Sequence, residues 1–249
     1  MDKSVEILGV RIDAVDAREA LDIAVRLAQA DRPSYIVTPN AEIVVASRSH
    51  SDLKHALACA ELAVGDGVGV LWASRVLRRP LPEKVNGIDL MLALLKEARA
   101  RSLRVYLLGA SSEVVTLAAR RIRAEMGVDV VGFHHGYFSD SEDVDVFRSI
   151  CAAEPDIIFV GMGSPRQELW MYRHVQILRR GVMMGVGGSF DVISGAKTRA
   201  PLKMQQLGLE WLYRLIKEPS RIRRIAALPK FVALVLLSRL REVLEVSTS

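Results

Sequence analysis

Asp156-Ile157-Ile158-Phe159-Val160-Gly161-Met162-Gly163-Ser164-Pro165 is the stretch on which the fold turns. Its apolar residues run consecutively from Ile157 to Val160 instead of alternating with polar ones. A strand with one wet face alternates, so this one must be covered on both faces. It stops at glycine, and a helical pattern, Pro165–Leu178, follows. The same strand-then-helix unit recurs on either side. Arg104–Leu108 precedes helix Glu113–Met126, Val128–Phe133 precedes helix Glu142–Ala153, and Val182–Val186 closes the series. Continuous apolar strands joined by helices define an α/β chain: a mostly parallel, Rossmann-like sheet with helices on both faces.

Toward the N-terminus, Val5–Val10 and Ser34–Thr38 read as strands separated by a helix over Ala17–Ala30 that Asp16 caps. Helices over Ala41–Ser49 and Ser51–Ala60 lead to a short strand ending at Gly65, and helices over Val68–Leu77 and Ile88–Ala100 follow. Beyond Gly195 the pattern changes. Leu207–Lys217 carries Leu, Trp and Ile on one helical face, Pro219 opens a segment with Arg221, Arg223 and Arg224, and Pro229 interrupts before the apolar Phe231–Leu237. Residues 1–195 therefore read as an α/β core and residues 196–249 as a helical C-terminal appendage, with the boundary near Gly195–Pro201.

Half of the 249 residues are apolar, which excludes disorder as the default. The net charge of +5 is unevenly placed: Trp211–Arg241 holds eight Lys/Arg and one acid, leaving a slightly acidic core. Ile222, Ile225, Leu228, Phe231, Leu234 and Val235 recur at helical spacing beside those cations, the pattern of an interfacial helix drawn to an anionic membrane surface. The alternative is that they pack on the sheet. The basic segment lacks the interleaved aromatics of a nucleic-acid site. Cys59 and Cys151 lack metal-ligand or CxxC spacing and read as buried thiols of a reducing compartment. The start MDKSVEILGV lacks the features of a signal peptide, and no run of eighteen apolar residues exists. A cytoplasmic protein, peripheral on the inner face of the plasma membrane, is the expectation.

In a parallel sheet, ligands bind beyond the C-terminal strand edges. Here those edges carry Thr38-Pro39-Asn40-Ala41-Glu42, Gly65-Asp66-Gly67, Gly109-Ala110-Ser111-Ser112, Gly161-Met162-Gly163-Ser164-Pro165-Arg166-Gln167-Glu168 and Gly187-Gly188-Ser189-Phe190-Asp191. Glycine turns leading into helix N-termini admit phosphates, so several on one edge indicate a nucleotide or sugar-nucleotide site. Each also has a structural reading. Asp66 fits an Asp-Gly turn, Asn40 a helix cap, Ser164-Pro165-Arg166-Gln167 a capping box, and Asp191 a turn. Gly109-Ala110-Ser111 lacks the dinucleotide fingerprint, which disfavours a nicotinamide enzyme. His134 and His135 lack a third ligand at metal spacing. Asp143-Val144-Asp145 has the spacing of a metal–nucleotide bridge but falls in a helix.

Taken in order, these segments, with Val85-Asn86-Gly87-Ile88-Asp89-Leu90, Arg199-Ala200-Pro201 and Gly208-Leu209-Glu210-Trp211-Leu212, resemble the WecG/TagA/CpsF family of bacterial glycosyltransferases over about Val5 to Arg224. The resemblance implies an inverting, metal-independent hexosyltransferase with no cofactor. Its donor is a UDP-sugar and its acceptor a polyprenyl-diphosphate-linked glycan of cell-surface polysaccharide synthesis, with N-acetylmannosamine, its uronic acid or glucose as the sugar. It places the catalytic base on Asp66, with Thr38 and Asn40 beside it. Donor contacts fall on Gln167 and Asp191, beside the glycine turns read above as substrate-binding at Gly109, Gly163 and Gly187, and phosphate contacts on Arg214, Arg221 and Arg224. Lys84 stands where many members have arginine, supplying the charge without the bidentate fork. Gly65 replaces the commoner alanine before the acid. Members self-associate, so a homo-oligomer is a further expectation. The competing reading is a non-catalytic nucleotide-sugar-binding subunit that recruits a partner transferase.

Overall fold

A tight antiparallel hairpin opens the fold: β1 (Ser4–Ile7) and β2 (Val10–Asp13) pair from Ser4–Asp13 to Ile7–Val10. The expected single strand over Val5–Val10 thus turns back at Leu8-Gly9, both at positive φ, which is the geometry of a two-residue hairpin loop. Val5, Ile7, Val10 and Ile12 all point inward: each strand alternates, and the turn shifts the parity so that both strands keep one face on the core.

The computed structural model describes residues 4–219 and 226–247. After the hairpin come α1 (Ala17–Ala28), β3 (Pro33–Val37), α2 (Ala41–Ser47), α3 (Ser51–Ala58), β4 (Leu62–Ala63), α4 (Val68–Val76) and α5 (Gly87–Ala100). Then follow β5 (Val105–Gly109), α6 (Ser112–Met126), β6 (Val130–His134), α7 (Asp140–Ala152), β7 (Ile157–Gly161), α8 (Arg166–Val175), β8 (Gly181–Gly185) and α9 (Ser189–Ile193). The chain continues into α10 (Leu202–Gln206), α11 (Glu210–Lys217) and α12 (Ala227–Ser247). Asp16 caps α1 through a reciprocal capping box with Glu19, as its spacing predicted.

Six strands form one parallel sheet in the order β4-β3-β8-β7-β5-β6. Both faces are covered. Ile157 and Phe159 pack with Leu94 of α5, Ile122 of α6 and Phe190 of α9. Ile158 and Val160 belong to the opposite layer with Leu53, Phe147 and Trp170. That two-sided burial is why the deciding stretch is apolar at every position.

Four expectations change. The helix expected over Leu207–Lys217 begins later, at Glu210, because Gly208 takes φ +72 and turns the chain between α10 and α11. Pro229 does not interrupt; it lies in the first turn of α12, where a missing N–H costs nothing. Phe231 and Val235 are fully buried in the core cluster, packed with Ala227, Leu228 and Leu234, so the α12 face expected to meet lipid instead covers α2 and α4. Cys59 and Cys151 are exposed, each at or near a helix C-terminus facing solvent. The segment with Arg221, Arg223 and Arg224 lies outside the described residues. Among the described residues no helix is long and apolar enough to cross a membrane.

Candidate active site

All six sheet strands are parallel, so their C-terminal ends share one edge, and helices α2, α4, α5, α6, α8 and α9 begin along it. A helix N-terminus carries partial positive charge and unpaired N–H groups, so this edge favours an anion. A cleft runs along it past Thr38, Asn40, Asp66, Asn86, Gly163, Gln167, Gly187 and Arg214, with about 1460 Å³ of space including its mouth. That volume accommodates a ligand of nucleotide-sugar size.

Asp66 sits at the end of β4. Its backbone N–H donates to the Pro39 carbonyl at 3.0 Å, which ties the β4 end to the β3 end. The side chain is partly buried on the cleft wall beside Lys84, Glu210 and Arg214. Its carboxyl is pushed up to about 6, chiefly by removal from water and further by Glu210. Arg214, Lys84 and the hydrogen bond from the Gly87 N–H pull the other way. A carboxylate tuned there is a competent general base near neutral pH.

Asn40 serves as the N-cap of α2, its Oδ1 accepting the Ile43 N–H at 3.0 Å. It also lines the cleft, so the capping and site readings hold together. Thr38 is buried, with its hydroxyl donating to the Gly185 carbonyl at 3.3 Å, and it braces β3 against β8 at the cleft floor.

The predicted capping box at Ser164-Pro165-Arg166-Gln167 does not form. The helix begins at Arg166, its N-cap is Pro165, and no side chain caps it. Gln167 is buried and turns sideways: its Oε1 accepts the Gly187 N–H and its Nε2 donates to Glu168. Arg166 is committed to the carbonyls of Gly136 and Phe138, fixing the loop after β6. Gly163 and Gly187 have positive φ and nothing within 4 Å of a notional Cβ, so they present bare backbone to the cleft. Gly109 is different. A Cβ there would meet the Gly161 carbonyl at 2.3 Å, so this glycine is set by the close approach of β5 and β7, at the far end of the cleft.

Asp191 stands on α9 with its carboxylate 3.7 Å from Lys197, lining the cleft's far extension with Ala110, Ser111 and Tyr137. Lys84 reaches the Gln205 carbonyl at 3.2 Å and Glu210 at 4.0 Å. Arg214 lines the cleft from α11. The structure therefore brings together Thr38, Asn40, Asp66, Lys84, Gly163, Gln167, Gly187 and Arg214, and places Asp191 farther along the same edge, while Gly109 is buried at the end of β5 behind Ala110 and Ser111. Arg221 and Arg224 fall outside the described residues.

Glu42, Asn86, Glu210 and Trp211 also line the cleft and were not singled out as site residues. Glu210 and Trp211 stand in the Gly208–Leu212 segment, and Asn86 in the Val85–Leu90 segment. Only tertiary folding shows that these segments meet. Asp143 and Asp145 are on α7 as expected. Asp143 accepts from Trp170 Nε1 at 2.6 Å and faces His174 at 3.2 Å, while Asp145 pairs with Arg148. Among the described residues no group of three or more His, Cys, Asp or Glu is arranged to hold a metal ion.

A tuned carboxylate on an anion-attracting sheet edge is the equipment of a group-transfer enzyme, and comparison with known proteins gives the class: the chain is a hexosyltransferase. It belongs to the glycosyl transferase WecG/TagA/CpsF family, whose model matches residues 5–244. Among its relatives, a Staphylococcus aureus protein described as N-acetylglucosaminyldiphosphoundecaprenol N-acetyl-beta-D-mannosaminyltransferase is 40% identical over 230 residues, covering 92% of this chain and 90% of its own. A Bacillus spizizenii protein of the same description is 34% identical over 207 residues, covering 83% of this chain and 80% of its own. Membership in an enzyme family removes the reading as a non-catalytic recruiting subunit.

Proposed function

We propose that this transferase moves a sugar from a UDP-sugar donor to a polyprenyl-diphosphate-linked acceptor glycan, with inversion and without a metal ion. The relatives' names favour N-acetylmannosamine as the sugar and a lipid-linked N-acetylglucosamine as the acceptor. The observation that carries the reading is Asp66: a carboxylate raised to about 6, beside Lys84 and Arg214, in a cleft floored by glycine turns.

An inverting transfer needs one base to take the acceptor hydroxyl proton while the sugar carbon is attacked opposite the leaving group. Asp66 takes that proton. The departing UDP gains negative charge, which the exposed backbone of the Gly163 and Gly187-Gly188 turns, the surrounding helix N-termini, Lys84 and Arg214 stabilise. Thr38 and Asn40 hold the β3 end in register with Asp66, and Gln167 fixes the Gly187 turn. Gly109 and Asp191, with Lys197, mark the nucleoside end of the cleft.

The appendage, residues 196–249, has two roles in this reading. It contributes Arg214 to the cleft and brings the protein to the anionic membrane surface where the lipid-linked acceptor resides. With Phe231 and Val235 turned inward, the lipid-facing side of α12 is Leu236, Leu237, Leu240 and Leu244, all exposed, beside Arg239 and Arg241. Self-association remains part of the reading and would cover the same face.

The test is a donor screen of the purified full chain with a short-chain polyprenyl-diphosphate N-acetylglucosamine acceptor. Transfer from UDP-N-acetylmannosamine is the expected result. Transfer from no UDP-sugar, with activity from another nucleotide sugar, overturns the donor assignment.

A further inference from the structure

Two segments that stand out in the sequence, Arg199-Ala200-Pro201 and Ile88-Asp89-Leu90, have no role in the chemistry above, yet they meet. The Arg199 guanidinium grips the Asp89 carboxylate fork to fork, at 2.6 Å and 2.7 Å. Its Nε lies 3.7 Å from Oε1 of Glu210, the first residue of α11. The other Glu210 oxygen lies 4.0 Å from Lys84, which also holds the Gln205 carbonyl of α10. Arg199 and Glu210 are only about one-fifth exposed, 22% and 20% of their side chains, whereas Asp89 is 49% exposed, so the Glu210 side of the network is better shielded from bulk screening than the Asp89 side.

Asp89 belongs to the first turn of α5, where Asn86 Nδ2 donates to it at 2.9 Å. The same turn supplies the Gly87 N–H that holds the Asp66 carboxylate. On the other side, Arg214 follows Glu210 by four residues, one turn along the same face of α11, and lines the cleft with Asp66, near enough to favour its charged form. A path therefore runs from Asp66 through the α5 turn, Asp89, Arg199 and Glu210 to Arg214, and back to Asp66.

We propose that Arg199 is a positioning residue: by binding Asp89 and Glu210 together it fixes α11 over the cleft and sets Arg214 against Asp66. The proposal rests on the transferase reading of the cleft. Lysine cannot replace Arg199, because an ammonium does not supply two parallel N–H groups to Asp89 while facing Glu210.

The experiment compares the full chain with Arg199→Ala, Arg199→Lys and Asp89→Asn by amide hydrogen exchange and by kinetics. A charge-assisted contact of this kind corresponds to roughly ten- to hundredfold, so exchange over residues 202–217 should accelerate by about that factor, while β7 and β8 keep their protection. The kcat should fall by a similar factor, with Arg199→Lys close to Arg199→Ala. The acid limb of the pH–rate profile should move, because α11 carries both Arg214, which pulls the Asp66 carboxyl down, and Glu210, which pushes it up. Unchanged exchange over 202–217 in both Arg199→Ala and Asp89→Asn overturns the proposal. So does acceleration that extends equally to β7 and β8, which marks a general stability role. If the parent chain transfers no sugar, the transferase reading fails, and the exchange comparison still decides whether Arg199 holds α11.

Discussion

The side chain of Gln167 holds the backbone of Gly187: Oε1 accepts the Gly187 N–H at 3.2 Å, while Nε2 donates to Glu168 at 2.9 Å. Gln167 and Glu168 are both buried, and burial raises the Glu168 carboxyl above its usual range. The amide thus joins the start of α8 to the turn after β8 across the middle of the cleft.

Replacing Gln167 by Leu keeps the volume and removes both contacts. The half-buried Gly187 N–H loses its partner and the Glu168 carboxyl loses one of its hydrogen bonds, which together cost about 1–3 kcal/mol. Thermal unfolding should show the loss. A raised KM for the donor, larger than the change in kcat, should accompany it, because the turn that presents exposed backbone is released. A normal donor KM in a destabilised variant would confine Gln167 to a structural role.

Asp66→Asn removes the proposed base with little change in shape. Turnover should fall by roughly 10²–10⁴-fold, the range for losing general-base catalysis. In the parent enzyme activity should fall as pH drops through about 6, where the Asp66 carboxylate takes up a proton. The remaining activity of Asp66→Asn should lack that limb. Near-normal turnover in the folded variant assigns Asp66 to the turn and not to the chemistry.

The same substitution has a consequence for stability. The Asp66 carboxyl is raised in the folded protein from an ordinary value near 3.8 to about 6, so folding favours its protonated form. Its favourable contribution is full below the unfolded value and is lost as pH rises through about 6, leaving a desolvated carboxylate at pH 8. The ceiling is about 3 kcal/mol at 1.4 kcal/mol per unit, and partial exposure lowers it. Asp66→Asn should therefore melt higher than the parent at pH 8, with the gap shrinking by pH 4. A lower melting temperature at pH 8 contradicts this account of the site.

The sheet was legible because its signal is local. Ile157–Val160 has to be apolar on both faces, and the strands before and after it repeat the rule. That Asp66, Asn40 and Gln167 share one cleft was legible because each follows a strand end, and strand ends share an edge in a parallel sheet. What Gln167 holds was not legible, since its partner stands twenty residues away on another turn. The Leu8-Gly9 hairpin was hidden because each arm is only four residues long, too short for the change of parity between Val5, Ile7 and Val10, Ile12 to stand out. The buried face of α12 was hidden for a related reason: Phe231 and Val235 at helical spacing look the same whether the apolar partner is lipid or α2 and α4. The pairing of Arg199 with Asp89 links residues 110 positions apart, and local pattern carries no trace of it.

The two faces of α12 give a paired prediction. Phe231→Ala opens a cavity in the core and should cost about 3–5 kcal/mol. Leu240→Glu changes a side chain that is 55% exposed and should leave the melting temperature nearly unaltered. In flotation with anionic phospholipid vesicles, Leu240→Glu should lose binding while Phe231→Ala, assayed below its melting point, should keep it. Vesicle binding unchanged by Leu240→Glu and Leu236→Glu together removes this face as the lipid contact.

Metal independence is open to direct measurement. The acidic pair with the spacing of a metal–nucleotide bridge is engaged elsewhere: Asp143 between Trp170 and His174, and Asp145 with Arg148. Cations of the chain, Lys84 and Arg214, line the same cleft as Asp66. Activity should therefore survive excess EDTA, and added magnesium should leave kcat within about twofold. Asp143→Ala should lower stability by about 1–3 kcal/mol, through the lost partner of the Trp170 N–H, without creating a magnesium requirement. Loss of turnover in EDTA with recovery on adding magnesium would mean that the leaving diphosphate is neutralised by a bound ion, and Arg214→Ala would then show only a modest defect. In the metal-free mechanism, Arg214→Ala should instead lower kcat by roughly 10²-fold or more, the effect of removing one preorganised group that stabilises developing charge.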